Sequence, residues 1–339
     1  MPSDIIGWDV GGAHLKAARV SAAGVVRAAI QVPCALWRGM DELQHAMAVA
    51  ASHVGFSDRH AVTMTGEMVD LFPDRSSGVS EIAKFVVNRL LNGTVRFFCG
   101  EHRFVAIDEV KNNAAAIASA NWRASVEFIA SKISDGVFID IGSTTTDIVA
   151  ISDGVPRFRG RDDYSRLVCG ELVYSGVVRT PLMALSDRVI FRGENVPVIA
   201  EHFATTADVY RVLGVLPEAA DQYPSADAAE KTSFASACRI ARMIGRDAAS
   251  EPFENWRELA NVFRAAQLAK ITAALETISA RESMIIGAGS GDFLIRQIAE
   301  DAHRGYSSFS QLLELDAVSA ESANYIAPAI AVALLALEL

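Results

Sequence analysis

One pattern occurs twice in this chain, and it limits the possible folds more than any other feature. Ile5–Val10 reads as a strand that carries an acid, Asp9, just before a Gly11–Gly12 turn. Leu15–Val20 follows, and Ala23–Gly24 turns the chain into Val25–Val32. The same order returns with Val137–Ile141, which places Asp140 before a Gly-Ser-Thr-Thr-Thr turn. Asp147–Ser152, Asp153–Gly154 and Val155–Arg159 complete the second unit. A strand–turn–strand–turn–strand unit repeated at this scale implies two similarly built α/β domains. Length agrees, because 339 residues exceed the size at which one core keeps growing.

The intervening patterns place the domain boundary. Helical spacing is expected at about Asp41–Val54, Val79–Leu91 and Asn112–Ala130, with strands at Ala61–Thr65, Val95–Cys99 and Phe104–Ile107. A polar loop covers Gly66–Ser77. This assigns residues 1–133 to the first domain and 134–339 to the second. Helices are expected there at Thr205–Leu213, Thr232–Arg246 and Glu254–Ala280, and the strand Ser283–Ile286 runs into a glycine turn and a helix from Asp292. Tyr325–Leu337 is too short to span a bilayer and reads as a buried terminal helix, one that can return to the first domain.

Charge and cysteines exclude several classes. A net charge of −10 and a pI near 5.2 argue against a nucleic-acid partner, which needs a basic face. Cys34, Cys99, Cys169 and Cys238 form no CxxC pair, so reduced thiols are expected rather than disulfides or zinc. The seven histidines show no HxxxH or HExxH spacing. Without a basic-then-apolar leader, the reading is a cytoplasmic protein. Trp8, Trp37, Trp122 and Trp256 are expected in the core.

Three motifs carry chemistry. In Asp9-Val-Gly-Gly-Ala-His-Leu-Lys16, the Gly11–Gly12 turn lets backbone N–H groups approach a phosphate, Lys16 adds charge, and Asp9 suits Mg²⁺. In Asp140-Ile-Gly-Ser-Thr-Thr-Thr-Asp147, Gly142 and the run Ser143, Thr144, Thr145 and Thr146 gather donors for an oxyanion, with Asp140 as the second metal carboxylate. The third, Ile285-Ile-Gly-Ala-Gly-Ser-Gly-Asp292, presents Gly287 and Gly289 at a helix start, without the GxGxxG spacing of a dinucleotide site.

In this order the three motifs resemble the phosphate-one, phosphate-two and adenosine segments of the actin/hexokinase/Hsp70 superfamily. That implies an α/β, two-domain, actin-like (ribonuclease H-like) ATPase fold with an interdomain cleft. Thr65–Val79, Asp140–Ile151, Gly170–Pro181 and Phe203–Tyr210 narrow the resemblance to the hydantoinase/oxoprolinase branch. Within that branch they are similar to the short family of tetrahydromethanopterin-linked one-carbon transfer pathway proteins, with archaeal members in methanofuran biosynthesis. The resemblance covers nearly the whole chain.

The family implies a transferase of methanofuran or methylofuran biosynthesis. A furanmethyl diphosphate loses pyrophosphate, and the phenol oxygen of a tyramine- or tyrosine-type substrate takes its place. Two anion-binding turns with Mg²⁺ suit a departing diphosphate. A phenol of pKa near 10 calls for a base, and Glu67, Asp70 and Asp208 are the candidates. Lys111, Asn112, Arg179 and Thr180 are candidate substrate contacts, while Asp74 and Arg75 read as a surface ion pair. Ala13 and His14 stand where many kinases of the superfamily carry Ser or Thr, which argues against a γ-phosphate site. The competing readings are an ATP-dependent kinase or hydantoinase/oxoprolinase-type ATPase, and a nucleotide-gated sensor or assembly protein. Use of ATP or ADP and homo-oligomer formation stay open.

Overall fold

A computed structural model describes residues 3–91, 93–280 and 282–339. The chain forms two compact units. Met1–Phe138, Ala150–Arg157 and Ser307–Leu339 make the first, and Ile139–Val149 with Phe158–Tyr306 make the second. The end of the chain thus lies with the first unit, although the sequence reading grouped it with 134–339. The physical reason is the terminal helix Ala327–Leu335, almost wholly apolar and buried, which packs on the first sheet and on the helix Asn121–Ala130.

In the first unit β1 (Ile5–Val10), β2 (His14–Val20), β3 (Val25–Pro33), β4 (Arg59–Met64), β5 (Thr94–Phe98) and β6 (Phe104–Val105) pair in the order β3-β2-β1-β4-β5-β6. The late strand Glu314–Leu315 extends the sheet parallel to β3. β1 is buried at every position because both faces of the sheet are covered. Ile6, Trp8 and Val10 join one core with the helices Met40–Val54 and Arg75–Arg89. The alternate residues face the other way, where Ala329 and Ala333 of the terminal helix lie against Gly7. Asp9 belongs to this second face, at the end of β1.

The first core carries one titratable liability. The indole N–H of Trp8 donates to Nδ1 of His60 (3.2 Å), and burial pushes the His60 pKa down to about 4. The unfolded chain therefore binds a proton below pH 6.5 that the folded chain refuses. Stability should be full above that pH and decline as pH falls toward 4, by about 3 kcal/mol in total. Urea midpoints at pH 7.5 and pH 5 measure the decline. His60→Gln should remove most of the difference, and an equal difference in that variant would assign the acid lability elsewhere.

The second sheet contains β7 (Gly136–Ile141), β8 (Thr146–Ser152), β9 (Val155–Arg157) and β10 (Leu172–Val173). β11 (Arg188–Phe191) and β12 (Glu194–Pro197) form a separate antiparallel pair, while β13 (Ile285–Ala288) and β14 (Tyr306–Ser308) return to the sheet. Its order is β10-β8-β7-β13-β14, with β9 paired to β8. Trp8, Trp122 and Trp256 are buried as expected, but Trp37 is 38% exposed in the middle of the short 3-10 turn Leu36–Arg38. All four cysteines are free. Among the described residues no helix is long and apolar enough to cross a membrane.

Candidate active site

The two repeated turns have the same backbone design, each within its own unit. Between β1 and β2 the N–H of Gly11 donates to His14 O (2.9 Å); between β7 and β8 the N–H of Gly142 donates to Thr145 O (2.9 Å). In both, neighbouring chain takes up the turn's carbonyls. Leu36 N donates to Gly12 O and Cys34 N to Ala13 O in the first. In the second, Val177 N donates to Gly142 O, while Val178 N and Arg179 N both donate to Ser143 O. A turn whose C=O groups are already satisfied offers N–H groups at its tip, the polarity an anion requires. Among the described residues no acceptor takes the amides of Ser143 or Thr144.

Beside the first turn, Asp9 is buried and its Oδ2 lies 3.4 Å from the Lys16 ammonium. Burial pushes the Asp9 carboxyl above its ordinary pKa, and Lys16 and the Asn121 amide pull it partly back. Asp9 Oδ1 accepts no hydrogen bond of ordinary geometry among the described residues. Asp9 pairs in register with Lys16 on β2 and Thr63 on β4, so the three share one sheet face.

The segment after β4 lies against this turn. Thr65 N donates to Val10 O, and a Cβ built on Gly66 would stand 3.3 Å from Gly11 O. A 3-10 turn over Gly66–Met68 then buries Glu67 to 1% exposure. Its Oε1 accepts from Ser119 Oγ (2.9 Å), and Arg75 Nη2 donates to the same hydroxyl (3.2 Å). Ser119 has a φ of 51°, a left-handed backbone rare outside glycine, at the break between the helices Ala114–Ile117 and Asn121–Ala130. The sequence reading ran one helix through this break. It also began the preceding helix at Val79, whereas Asp74 caps a helix that starts at Arg75, accepting from Ser77 N (2.8 Å). Asp74 is therefore a helix cap and Arg75 a member of the Glu67 network.

The second turn rests on the stretches that carry the family resemblance. Gly176 packs so closely that a Cβ there would lie 2.5 Å from Gly142 O, Ser143 C and Thr144 N. Its carbonyl accepts from Thr206 Oγ1 (2.8 Å) and Gln267 Nε2 (2.9 Å); its N–H donates to Thr180 Oγ1 (2.8 Å). Thr146 Oγ1 donates to Ser175 O (2.7 Å), and the Tyr210 hydroxyl donates to Gln267. Arg166 holds Asp147 at 2.7 Å. The third motif meets the same place, because Gly289, at φ 86°, passes so near that a Cβ would stand 2.3 Å from Asp140 Oδ1.

These placements sort the candidate residues. Gly11, Gly12, Asp9, Lys16 and Glu67 gather at the first turn; Asp140, Gly142, Ser143, Thr144, Thr145 and Gly289 gather at the second. Thr146 and Thr180 are corrected to structural hydroxyls, since each is buried and bonded to the Ser175–Gly176 backbone. Asp208 is corrected likewise. Its Oδ2 completes a capping box with Thr205 N, and its Oδ1 accepts from Ser236 Oγ and Arg239 Nε, both at 2.8 Å. Gly287 is narrow for another reason, with Asp292 Oδ1 and Tyr306 beside it. Asp70, Lys111, Asn112 and Arg179 have exposed side chains. Missed from the sequence were Ser119, Gly176 and Gln267, and Arg75 was read for another role. Gly176 and Arg75 lie inside family-like stretches, whereas Ser119 and Gln267 had no signal.

The fold and its paired turns define an α/β protein of the actin-like, two-domain class. The nucleotide-free structure of acetone carboxylase matches this fold with a TM-score of 0.56 at 10% identity, over 97% of this chain and 70% of that one. The chain belongs to the hydantoinase/oxoprolinase family, whose model matches residues 58–312. It is 28% identical over 300 residues to the (4-{4-[2-(gamma-L-glutamylamino)ethyl]phenoxymethyl}furan-2-yl)methanamine synthase of Methanocaldococcus jannaschii, covering 88% of this chain and 89% of that protein. The protein of the same name from Methanococcus vannielii is 34% identical over 122 residues, 36% of this chain and 54% of that one.

Proposed function

We propose that this chain is an enzyme of methanofuran-type cofactor synthesis that joins a furanmethyl diphosphate to a phenol. The name of the archaeal relatives describes a phenoxymethyl-furan, an ether between a phenol oxygen and a furan-bound carbon. In the proposed step that C–O bond forms as the bond to diphosphate breaks. Pyrophosphate leaves, and the phenolic proton passes to a carboxylate. The observation that carries the reading is the Gly142–Thr145 turn, whose Gly142, Ser143 and Thr145 carbonyls accept hydrogen bonds while its Ser143 and Thr144 amides, among the described residues, donate none. Such amides stabilise charge as it develops on a departing diphosphate.

Glu67 is the base this reading selects. Asp208 is fully engaged, Asp70 lies on the surface, and Glu67 is buried beside the first turn with Ser119 orienting one oxygen. Asp9 at the first turn and Asp140 at the second are each proposed as a carboxylate able to hold Mg²⁺, which would neutralise phosphate charge. One or two carboxylates plus phosphate oxygens and water is the usual set for this ion, and Asp9 Oδ1 is available for it.

Mass spectrometry of purified protein with Mg²⁺, an aminomethylfuran-methyl diphosphate and tyramine, tyrosine or γ-glutamyltyramine tests the proposal. The aryl ether and pyrophosphate should appear without ATP. ADP formation that depends on a co-substrate, with no ether from the diphosphate, would replace this reading with a kinase.

A further inference from the structure

The first unit has a second polar concavity, at the opposite end of its sheet from Asp9. β1, β4 and β5 run parallel and in register, so Ile5, Arg59 and Thr94 stand side by side at their starting ends. Asp9 lies four residues further along β1, about 13 Å away at the usual strand rise. Arg59, His60, Thr94 and Arg96, with Ile5 of β1 and with Ala336 and Leu339 from the terminal segment, line a pocket of about 260 Å³. That equals the share of about nine liquid waters, ample for a small oxyanion.

Two arginines and no aspartate or glutamate are among the residues that line this pocket. Arg59 donates to the carbonyls of Ala336 (3.2 Å) and Ser3 (3.5 Å). Arg96 reaches only the carbonyl of its neighbour Val95, at 3.4 Å. Among the described residues neither guanidinium forms an ion pair with a carboxylate. Arg59 helps to lower the Asp58 carboxyl beside it in sequence, although the Ser3 side chain is the larger influence. Two guanidiniums in a single pocket, with no carboxylate at contact distance among the described residues, form a fork suited to a phosphate-type oxyanion.

We infer that the Arg59–Arg96 pocket is a binding site for a phosphate-type oxyanion, separate from the site that carries the proposed chemistry. The inference does not depend on that chemistry. Calorimetric titration of the full chain with inorganic phosphate, and separately with pyrophosphate, distinguishes the two sources of such a group.

At least one of the two anions should show saturable binding that Arg96→Gln weakens by about tenfold or more, the scale of a lost charged hydrogen bond. Arg96→Lys should retain part of it, since it keeps the charge without the fork. Arg96 makes no structural bond beyond its neighbour's carbonyl, so both variants should fold, and ether formation should be unchanged in them. No saturable binding of either anion, or equal affinity in wild type and Arg96→Gln, overturns the inference.

Discussion

Glu67→Gln should lower the rate of ether formation by about 10²–10⁴-fold, the usual contribution of a positioned general base. The amide keeps the shape of the side chain and can still accept from Ser119 Oγ, so the fold and the diphosphate affinity should survive. The loss therefore belongs in kcat rather than in KM for the diphosphate. Ser119→Ala should cost less, because it frees the carboxylate to rotate without removing it. A phenol acceptor of lower pKa should partly rescue Glu67→Gln. Wild-type turnover in Glu67→Gln would remove Glu67 from the reaction and leave the anion-binding turn standing.

The other large effect should come from Gly176→Val. The atoms in its way belong to the backbone of Gly142, Ser143 and Thr144, so the turn must move. Losing two amide hydrogen bonds to a charged phosphate is worth about 3 kcal/mol or more, a fall in pyrophosphate affinity of over a hundredfold. A lower melting temperature should accompany it, because Thr180, Thr206 and Gln267 all bond to Gly176. Pyrophosphate affinity at the wild-type level in a folded Gly176→Val protein would show that the turn is not the diphosphate site.

The repeated architecture was legible because it is local. An acid before a small-residue turn between two strands is written in consecutive residues, and both copies read correctly at Asp9 and Asp140. The terminal helix was legible for the same reason, as an apolar run. Features made by distant segments were not. Glu67 could be nominated by resemblance, but the Ser119 hydroxyl that orients it comes from a helix break with no glycine or proline to announce it. Thr146, Thr180 and Asp208 were of the right chemical type for a site. What separates them from ligands is the partner each already has, and such partners lie far away in sequence, as when Arg239 and Ser236 bind Asp208. Gly289 was read as a nucleotide contact from its glycine-rich neighbourhood. The fold shows a further demand on it, the close passage of Asp140.

The first unit takes one covering layer from a segment far downstream of its first strand, and this has a consequence for how the protein is made. β1 emerges from the ribosome well before Ala327–Leu335, the helix that covers one of its faces. Until then Gly7 and its neighbours on that face have no cover, and the whole second unit must be synthesised in between. Contacts of such sequence separation carry a large loop-closure cost and form slowly. The nascent chain therefore passes through a long interval with an open apolar sheet face, the condition under which chaperones are engaged. Termination before Ala327 should therefore yield a product that aggregates.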